Sequence, residues 1–574
     1  MGLLNSALQI GRSAILGYEG ALHVVGNNIS GAGSPDYTRQ SPRLDPVPGR
    51  LTASELQPGA GVALTDIQRN IDDALEGRIR LALGMDASLQ TQESALGRLE
   101  SMFDDLTGTG VGTRLSEFFA AFDDLQNTPE DLGIRELGIN RGVLLAQSLR
   151  DLRQRLTELG DDLDSQIGDV VSRADELARQ IAALNEEIVR AEGGRSTQAS
   201  ALRDQRDGLL RELGKLMDVV VREQPDGTVN VYVGNEALIQ GSSVRGLIAE
   251  QQTSGGVVRT SVRFADTGQE ITPRGGELHG LLVSRDQNDQ IQAVDELAAA
   301  VIEAVNRIHA DGQGLVGFTD VTGAQDVLDA TVPLDSGAAG LPSSVQNGSF
   351  YITVMDEAGQ APQSFRIDVQ ADGTENGTTL EDLAAAITEQ VDGVTASVTG
   401  DRRLRIQADE GFSFVFGFDG QSPRADTSGV LAALGINTFF TGKDASDIAV
   451  NESLQASPAL LAAGSSFLPG DGSVAGRISS LDVTTVDRLG GATLQGFYDS
   501  VANRVAVVSS GVQSDREAAS TVLRSLQAQR EAISGVNLDE EAISLVKFQR
   551  AFQGTARFVA AVDEMLAQLL LMLR

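Results

Sequence analysis

The sequence predicts a mainly α-helical, multidomain α+β protein with β-rich inserts. Apolar residues recur in alternating steps of three and four at both ends of the chain, which predicts a long amphipathic helix at each terminus. A third stripe, from Leu145 to Ile188, predicts an even longer helix between them. Alternating β-branched residues interrupt the helical sequence at residues 218–275 and again at 318–442, which predicts strands there.

The two terminal helices have matching apolar stripes, and neither has a partner beside it in sequence. Because a stripe of this period lets two helices pack along their length, we expect the pair to form a coiled coil that joins the chain ends. Packing of each stripe on a separate globular core is the alternative that periodicity leaves open. The predicted assembly seam consists of Leu4, Leu8, Ile15, Leu22, Val25, Ile29, Leu545, Phe548, Phe552, Val559, Val562, Leu566 and Leu569.

Helix boundaries are predicted from capping residues. Asn537 is a good N-cap, with Glu540 at the third helical position to complete a capping box, and Gly535 can end the preceding helix. We therefore predict a hinge at residues 534–535. Residues 41–64 are rich in Pro and Gly and predict an extended linker with short strands. We expect the next helix to begin near Thr65 or Asp66.

The composition argues against several classes of protein. The 80 acidic and 45 basic residues give a net charge of −35, which would repel nucleic acid and anionic membranes. The chain has no cysteine, so neither disulfides nor thiolate chemistry contribute. No stretch approaches the roughly 20 apolar residues that span a bilayer, and no cleavable signal peptide is visible. We expect a soluble protein.

No set of residues predicts catalysis, a cofactor or a metal site. The three histidines, His23, His279 and His309, share no metal-binding spacing. Residues 368–379 loosely resemble a calcium loop, but the bidentate Glu that should end such a loop is absent. We therefore expect a structural protein, not an enzyme.

Two runs of sequence resemble known motifs. Asn27-Asn-Ile-Ser-Gly-Ala-Gly-Ser-Pro-Asp-Tyr-Thr-Arg-Gln40 is similar to the N-terminal signature of bacterial flagellar axial proteins, the rod, hook and hook-associated family. Ser534-Gly-Val-Asn-Leu-Asp-Glu-Glu541 is similar, more specifically, to the hook-associated members found at the hook–filament junction. Asp36 stands where the family usually has Gly, so the geometry of that turn stays open. The signature residues are Asn27, Asn28, Tyr37, Arg39, Gln40, Asn537, Leu538, Asp539 and Glu540.

The resemblance implies a structural subunit of the bacterial flagellum. It implies type III export without a cleaved signal peptide, an extracellular location, and polymerisation through the terminal helices at the hook–filament junction. The implied partners are copies of the chain, hook protein on one side, hook-associated protein 3 on the other, and an export chaperone on the C-terminal helix, with no nucleic acid and no membrane. The alternatives are another axial protein, such as hook-associated protein 3 or a rod or hook protein, or a secreted adhesin or enzyme that uses flagellar export.

Three domains are expected from these observations. Residues 1–40 and 536–574 are predicted to form a terminal coiled-coil assembly domain. Residues 41–317 and 443–535 are predicted to form a long-helix bundle domain, with a small β-rich part at about residues 218–275. Residues 318–442 are predicted to form an outer α+β insert domain.

Overall fold

Long α-helices and small antiparallel sheets make up the chain. The computed structural model describes residues 2–34, 36–48, 59–104, 108–193, 199–254, 257–286, 290–356, 362–373, 376–419, 421–466, 468 and 470–572. The α-helices within these residues are α1 (Gly2–Gly31), α2 (Asp73–Phe103), α3 (Val111–Asn127), α4 (Leu132–Glu192), α5 (Ser200–Leu216), α6 (Gly276–Asp286), α7 (Gln290–His309), α8 (Leu380–Gln390), α9 (Val430–Ala433), α10 (Glu452–Ala456), α11 (Ser473–Ser479), α12 (Leu494–Ser534) and α13 (Leu538–Met572).

The strands are short and pair only antiparallel in the described residues. They are β1 (Gln40–Pro46), β2 (Val62–Arg69), β3 (Val220–Glu223), β4 (Val229–Val233), β5 (Glu236–Gln240), β6 (Ser243–Val244), β7 (Leu247–Ser254), β8 (Val257–Phe264), β9 (Glu270–Ile271), β10 (Asp320–Thr322), β11 (Gly348–Asp356), β12 (Gln363–Val369), β13 (Val394–Val398), β14 (Leu404–Ala408), β15 (Phe412–Phe416), β16 (Phe440–Thr441) and β17 (Ala449–Val450). The mixed α+β fold class predicted from the sequence is confirmed.

Two helix starts differ from the predictions. Helix α4 begins at Leu132, earlier than predicted, because the Asp131 carboxylate accepts a hydrogen bond of 2.7 Å from the Gly133 amide and caps the first turn. The predicted helix start near Thr65 or Asp66 is wrong. Both residues lie in β2, which pairs with β1, and α2 begins only at Asp73. Cross-strand pairing outweighs local helix propensity here.

The chain forms two compact units. The division into three domains that the sequence suggests is not tested by these units and stays a prediction. Unit 1 comprises residues 1–95, 162–285 and 510–574. In it, α1 packs along α13 and carries the β1–β2 hairpin on another face. A four-stranded sheet (β3-β4-β5-β6) and a three-stranded sheet (β7-β8-β9) complete the unit's β structure among the described residues.

Unit 2 comprises residues 96–161 and 286–509 and has a β-rich core. Two three-stranded sheets, β12-β11-β15 and β10-β14-β13, enclose this core together with α8. Ile352, Ile367, Ile387 and Phe414 are among its fully buried side chains. The apolar faces of the strands and of α8 thus converge on one cluster, as their alternating and helical periodicities require.

A separate aromatic cluster holds the helical part of unit 2 together. Phe118 and Phe122 of α3 lie 5.4 and 5.5 Å, between ring centroids, from Phe439. Phe118 also lies 5.6 Å from Phe440. Such tilted and edge-to-face contacts add stabilisation beyond the buried area. Residues 439–440 therefore anchor the chain that leaves the β-rich core onto α3.

His309 ends α7 in the same region and is completely buried. Its Nδ1 donates to the Asn437 carbonyl oxygen at 2.8 Å, and its Nε2 accepts from the Ala462 amide at 3.1 Å. These two bonds require the neutral ring with the proton on Nδ1. Burial lowers the pKa of His309 to about 4, because protonation would charge a desolvated ring and remove the acceptor at Nε2.

We predict that His309 makes the stability of the chain depend on pH. A lowered folded-state pKa means that the unfolded chain binds the proton first, so stability is present above pH 6.5 and is lost as the pH falls toward 4. Urea unfolding at pH 7.5 and pH 5 should show a loss of about 2 kcal/mol from this group. His309→Gln, which cannot titrate, should lose correspondingly less over the same interval. An equal loss in the variant would contradict the prediction.

Candidate functional site at the chain ends

The two terminal helices pack directly against each other in unit 1. Val25 of α1 and Val562 of α13 are 2% and 1% exposed. Gly11 lies at a point of close approach: a Cβ atom there would sit 2.3 Å from Cγ2 of Val559. A side chain larger than hydrogen at residue 11 would therefore push the helices apart.

The predicted seam residues fall into three groups. Val25 and Val562 are buried, and the ones that are half-buried are Leu4, Leu8, Ile15, Leu22, Phe548, Phe552, Val559 and Leu566. Ile29, Leu545 and Leu569 are exposed. The pairing of α1 with α13 thus buries Val25 and Val562 fully and leaves the other predicted seam residues partly or mostly exposed.

The N-terminal signature residues converge on Asn28, whose side chain is 1% exposed. Its Oδ1 accepts hydrogen bonds of 2.9 Å from the Gln40 amide and from the Tyr37 hydroxyl. Its Nδ2 donates to the Gln40 carbonyl at 2.8 Å and to Oε2 of Glu541 at 3.0 Å. Two donors and two acceptors are the full capacity of an amide side chain. Asn28 therefore fixes the turn after α1 and joins it to α13.

Arg39 makes the charged part of the same contact. Its Nε donates to Oε1 of Glu541 and its Nη1 to Oε2 of Glu540, each at 2.8 Å. Its backbone amide donates to the Ser534 carbonyl at the end of α12, at 2.9 Å. Glu541 is only 2% exposed, so charge-assisted bonds from Arg39 and the amide of Asn28 replace its lost hydration.

Tyr37 completes this arrangement. Burial, together with the negative charges of Asp204 and Glu541, raises the pKa of Tyr37 to about 12. The hydroxyl therefore stays protonated and can donate to Asn28. We call Asn28, Tyr37, Arg39, Gln40 and Glu541 the terminal clasp.

Other signature residues lie outside the terminal clasp. The Asn537 side chain caps α13, its Oδ1 accepting from the Asp539 amide at 3.0 Å. Asn27 and Asp539 are exposed, and Leu538 is 55% exposed. The predicted site residues do not include Glu541, the acceptor at the centre of the clasp, although its spacing from Leu545 and Phe548 places it on the seam side of α13.

Asp36 adopts an ordinary backbone conformation. The non-glycine residues with positive φ in the described part are Arg402 and Asn437, so this turn does not require glycine at residue 36. Its Oδ1 accepts a hydrogen bond of 2.7 Å from Nη2 of Arg211. A Cβ on Gly208 would lie 3.2 Å from the Asp36 carboxyl carbon, so Gly208 gives this carboxylate its space.

The described residues contain neither a cluster of three or more potential metal ligands nor a helix apolar and long enough to cross a membrane. The geometry of the chain ends is that of a packing and hydrogen-bonding site. Such a site can hold the two ends of the chain together and leave the other faces of α1 and α13 open to contact.

Three family profiles match the chain in order. The helical domain of the flagellar hook-associated protein FlgK matches residues 96–324, and the flagellin hook IN motif matches residues 361–410. The C-terminal profile of the flagellar basal body rod proteins FlgEFG matches residues 527–572, which include the end of α12 and all of α13. All three matches are to flagellar proteins.

One solved structure and several full-length sequences are also similar to the chain. A solved structure, the flagellar hook junction protein FlgK from Burkholderia pseudomallei, has a TM-score of 0.49 at 17% identity, over 80% of this chain and 100% of that one. The sequence is 28% identical to flagellar hook-associated protein 1 of Escherichia coli, over 98% of each chain. It is 25% identical to the Salmonella typhimurium protein of that name, over 99% of this chain and 100% of the relative. The sequence matches therefore show that the chain is similar, over nearly its whole length, to flagellar hook-associated protein 1, a structural component of the bacterial flagellum.

Proposed function

We propose that the chain is a structural subunit that polymerises through its terminal helices at the hook–filament junction and adapts the hook to the filament. The observation that carries this proposal is the terminal clasp. It fastens the first and last helices of the sequence into one pair whose outer faces are still apolar. A pair of this kind is suited to packing beside identical pairs from neighbouring copies.

The uncovered apolar surface of α13 supports polymerisation. Seven large apolar side chains are more than a third exposed among the residues of this helix whose burial is described. They are Leu538, Ile543, Leu545, Val546, Phe558, Met565 and Leu569. An isolated subunit would leave them in water, whereas contiguous exposed apolar surface typically marks an interaction site.

The charge distribution also favours association through the terminal helices. The whole chain carries −35, but α1 has one acidic and one basic residue, and α13 has five acidic and three basic residues. The terminal helices thus contribute only a small part of the net charge. Repulsion between copies is weakest where the apolar faces are exposed.

The proposed partners follow from this assembly. They are further copies of the chain, hook protein on one side and hook-associated protein 3 on the other. The exposed face of α13 would need cover before assembly, which supports an export chaperone on that helix. Export through the flagellar type III apparatus would place the subunit outside the cell, with residues 318–442 as an outer domain.

Electron microscopy of a strain that lacks the gene tests the proposed function. Cells without the chain should build hooks that carry no filament, and the wild-type gene should restore filaments. Normal filaments in the deletion strain would overturn the proposal.

We predict that Leu566→Asp abolishes filament attachment. A carboxylate at this half-buried seam position would be desolvated by α1 or by a neighbouring copy, at a cost of several kcal/mol. The measurement is electron microscopy of the deletion strain complemented with the variant. Val507→Asp, the same kind of change at a 73%-exposed residue of α12, is the control and should restore filaments. If both variants restore filaments, the terminal seam is not the assembly surface.

We also predict strong coupling within the terminal clasp. A double-mutant cycle of Arg39→Gln and Glu541→Gln should give a coupling energy of about 1–3 kcal/mol, because Glu541 is buried. The readout is the opening free energy of α13 by hydrogen exchange. The matched control is the half-exposed ion pair Arg488–Glu296, whose atoms lie 2.8 Å apart. Its coupling energy, measured by hydrogen exchange of unit 2, should stay below about 1 kcal/mol. Equal coupling in both pairs would contradict the role of the clasp.

A further inference from the structure

Helix α5 carries a charged face that meets the turn after α1. Asp204, Gly208 and Arg211 follow one another in steps of four and three, which places them on one face of the helix. Asp204 is 6% exposed, and the side chain of Arg211 is 12% exposed. Buried polar groups need hydrogen-bond partners, so this face requires a matching set of donors and acceptors.

Residues 36–38 of the turn supply part of that set. The Thr38 amide donates to Oδ2 of Asp204 at 3.4 Å, and Oδ1 of Asp36 accepts from Nη2 of Arg211 at 2.7 Å. Gly208 lies between these two residues of α5 and has no side chain to hold the turn away. Thr38 is 2% exposed, so the turn packs closely on the helix at this point.

The same face of α5 holds the strand opposite the turn. Arg69 is the last residue of β2. Its Nε donates to Oδ1 of Asp204 at 2.9 Å, and its Nη2 donates to Asp207. Arg69 pairs across the hairpin with Gln40, the first residue of β1. Both strands of the hairpin are therefore fixed to α5 at their base.

These contacts flank Arg39, the charged donor that Glu541 needs. Arg39 follows Thr38 and precedes Gln40 in the sequence. Thr38 is fixed to α5 directly by Asp204, and Gln40 is fixed to it through the β2 strand. The position from which the Arg39 side chain reaches Glu541 is thus determined by α5.

Arg211 also connects the turn to the end of α12. Its Nη1 donates to Oε2 of Glu76 at 3.2 Å, and Oε1 of that carboxylate accepts from Nε of Arg530 at 2.7 Å. Glu76 is 4% exposed, so its desolvated charge depends on these cations. Arg530 lies four residues before Ser534, whose carbonyl accepts from the Arg39 amide. Arg211 therefore helps to position both segments that adjoin the start of α13.

We propose that α5 is the positioning element of the terminal clasp. The contacts that hold the turn on α5 include no residue of α13, so the turn docks on α5 without that helix. The docked turn then places Asn28 and Arg39 where α13 closes on them through Glu541. It follows that α13 can detach while the turn stays docked, whereas loss of docking also opens the clasp. This order is a property of the isolated chain and does not depend on polymerisation.

Hydrogen exchange of the purified full-length chain tests this order. Mass spectrometry would follow two peptides, a turn peptide that covers residues 36–40 and an α13 peptide that covers residues 541–548. Glu541→Gln removes the charge that α13 brings to the clasp. It should raise the opening equilibrium constant of the α13 peptide at least about tenfold and change that of the turn peptide less than about twofold. Arg211→Gln removes two ion pairs on α5 and should raise both constants at least about tenfold.

Asp36→Asn is a milder test, because the Asp36 side chain is 56% exposed and its substitution should leave the fold of the unit intact. The ion pair with Arg211 is lost, so both peptides should open about threefold more. The matched control is Arg173→Gln. Arg173 is a 57%-exposed residue of unit 1 that pairs with Glu277 at 2.6 Å, and its substitution should change neither peptide. Equal effects of Glu541→Gln on both peptides would overturn the proposal, as would opening of the turn peptide alone when Arg211 or Asp36 is substituted.

Discussion

The buried carboxylate of Glu541 is the contact on which the arrangement of the chain ends depends. A desolvated charge is costly unless every lone pair finds a donor, and here the donors come from the other end of the sequence. Arg39 supplies the charge and Asn28 supplies the amide, each within 3.0 Å. Because Asn28 lies in the last turn of α1 and Arg39 lies in the turn that follows, the carboxylate is satisfied only when α1, this turn and the start of α13 are all in place.

This requirement explains why the signature residues form two separate runs. Asn28 holds the turn by bonding to both backbone groups of Gln40, and the same side chain reaches Glu541. The Arg39 backbone also bonds to Ser534, at the end of α12. A single set of contacts thus orients both the terminal helix pair and the hinge between α12 and α13. Val25 of α1 and Val562 of α13 are both buried, so apolar burial adds to the stability of a geometry that polar contacts define.

Periodicity predicted the terminal helices because their stripes are long and regular. Periodicity could not predict which residues of a stripe stay exposed, as Leu545 and Leu569 do. Their exposure depends on the crossing geometry of two helices that are distant in sequence. The buried role of Glu541 could not be predicted from the sequence for a related reason. Acidic residues in a first helical turn are already explained by the helix dipole, so a buried role for one of them has no separate signal. The strand at Thr65 was missed because its partner strand is more than 15 residues away across the linker.

Disulfide trapping tests the pairing of the two chain ends most directly, and the absence of native cysteine makes it clean. A Cβ on Gly11 would lie 3.7 Å from the Cβ of Val559, within the range of a disulfide. The double variant Gly11→Cys/Val559→Cys, oxidised in isolated flagella, should give an intrachain crosslink, seen as a faster-migrating monomer on non-reducing electrophoresis. The control Gly26→Cys/Val559→Cys keeps the second cysteine and moves the first about 22 Å along α1. A Cβ on Gly26 would have no atom within 4 Å, so this variant should give no crosslink. A ladder of crosslinked oligomers, or no crosslink in the first variant, would contradict the pairing of α1 and α13 within one chain.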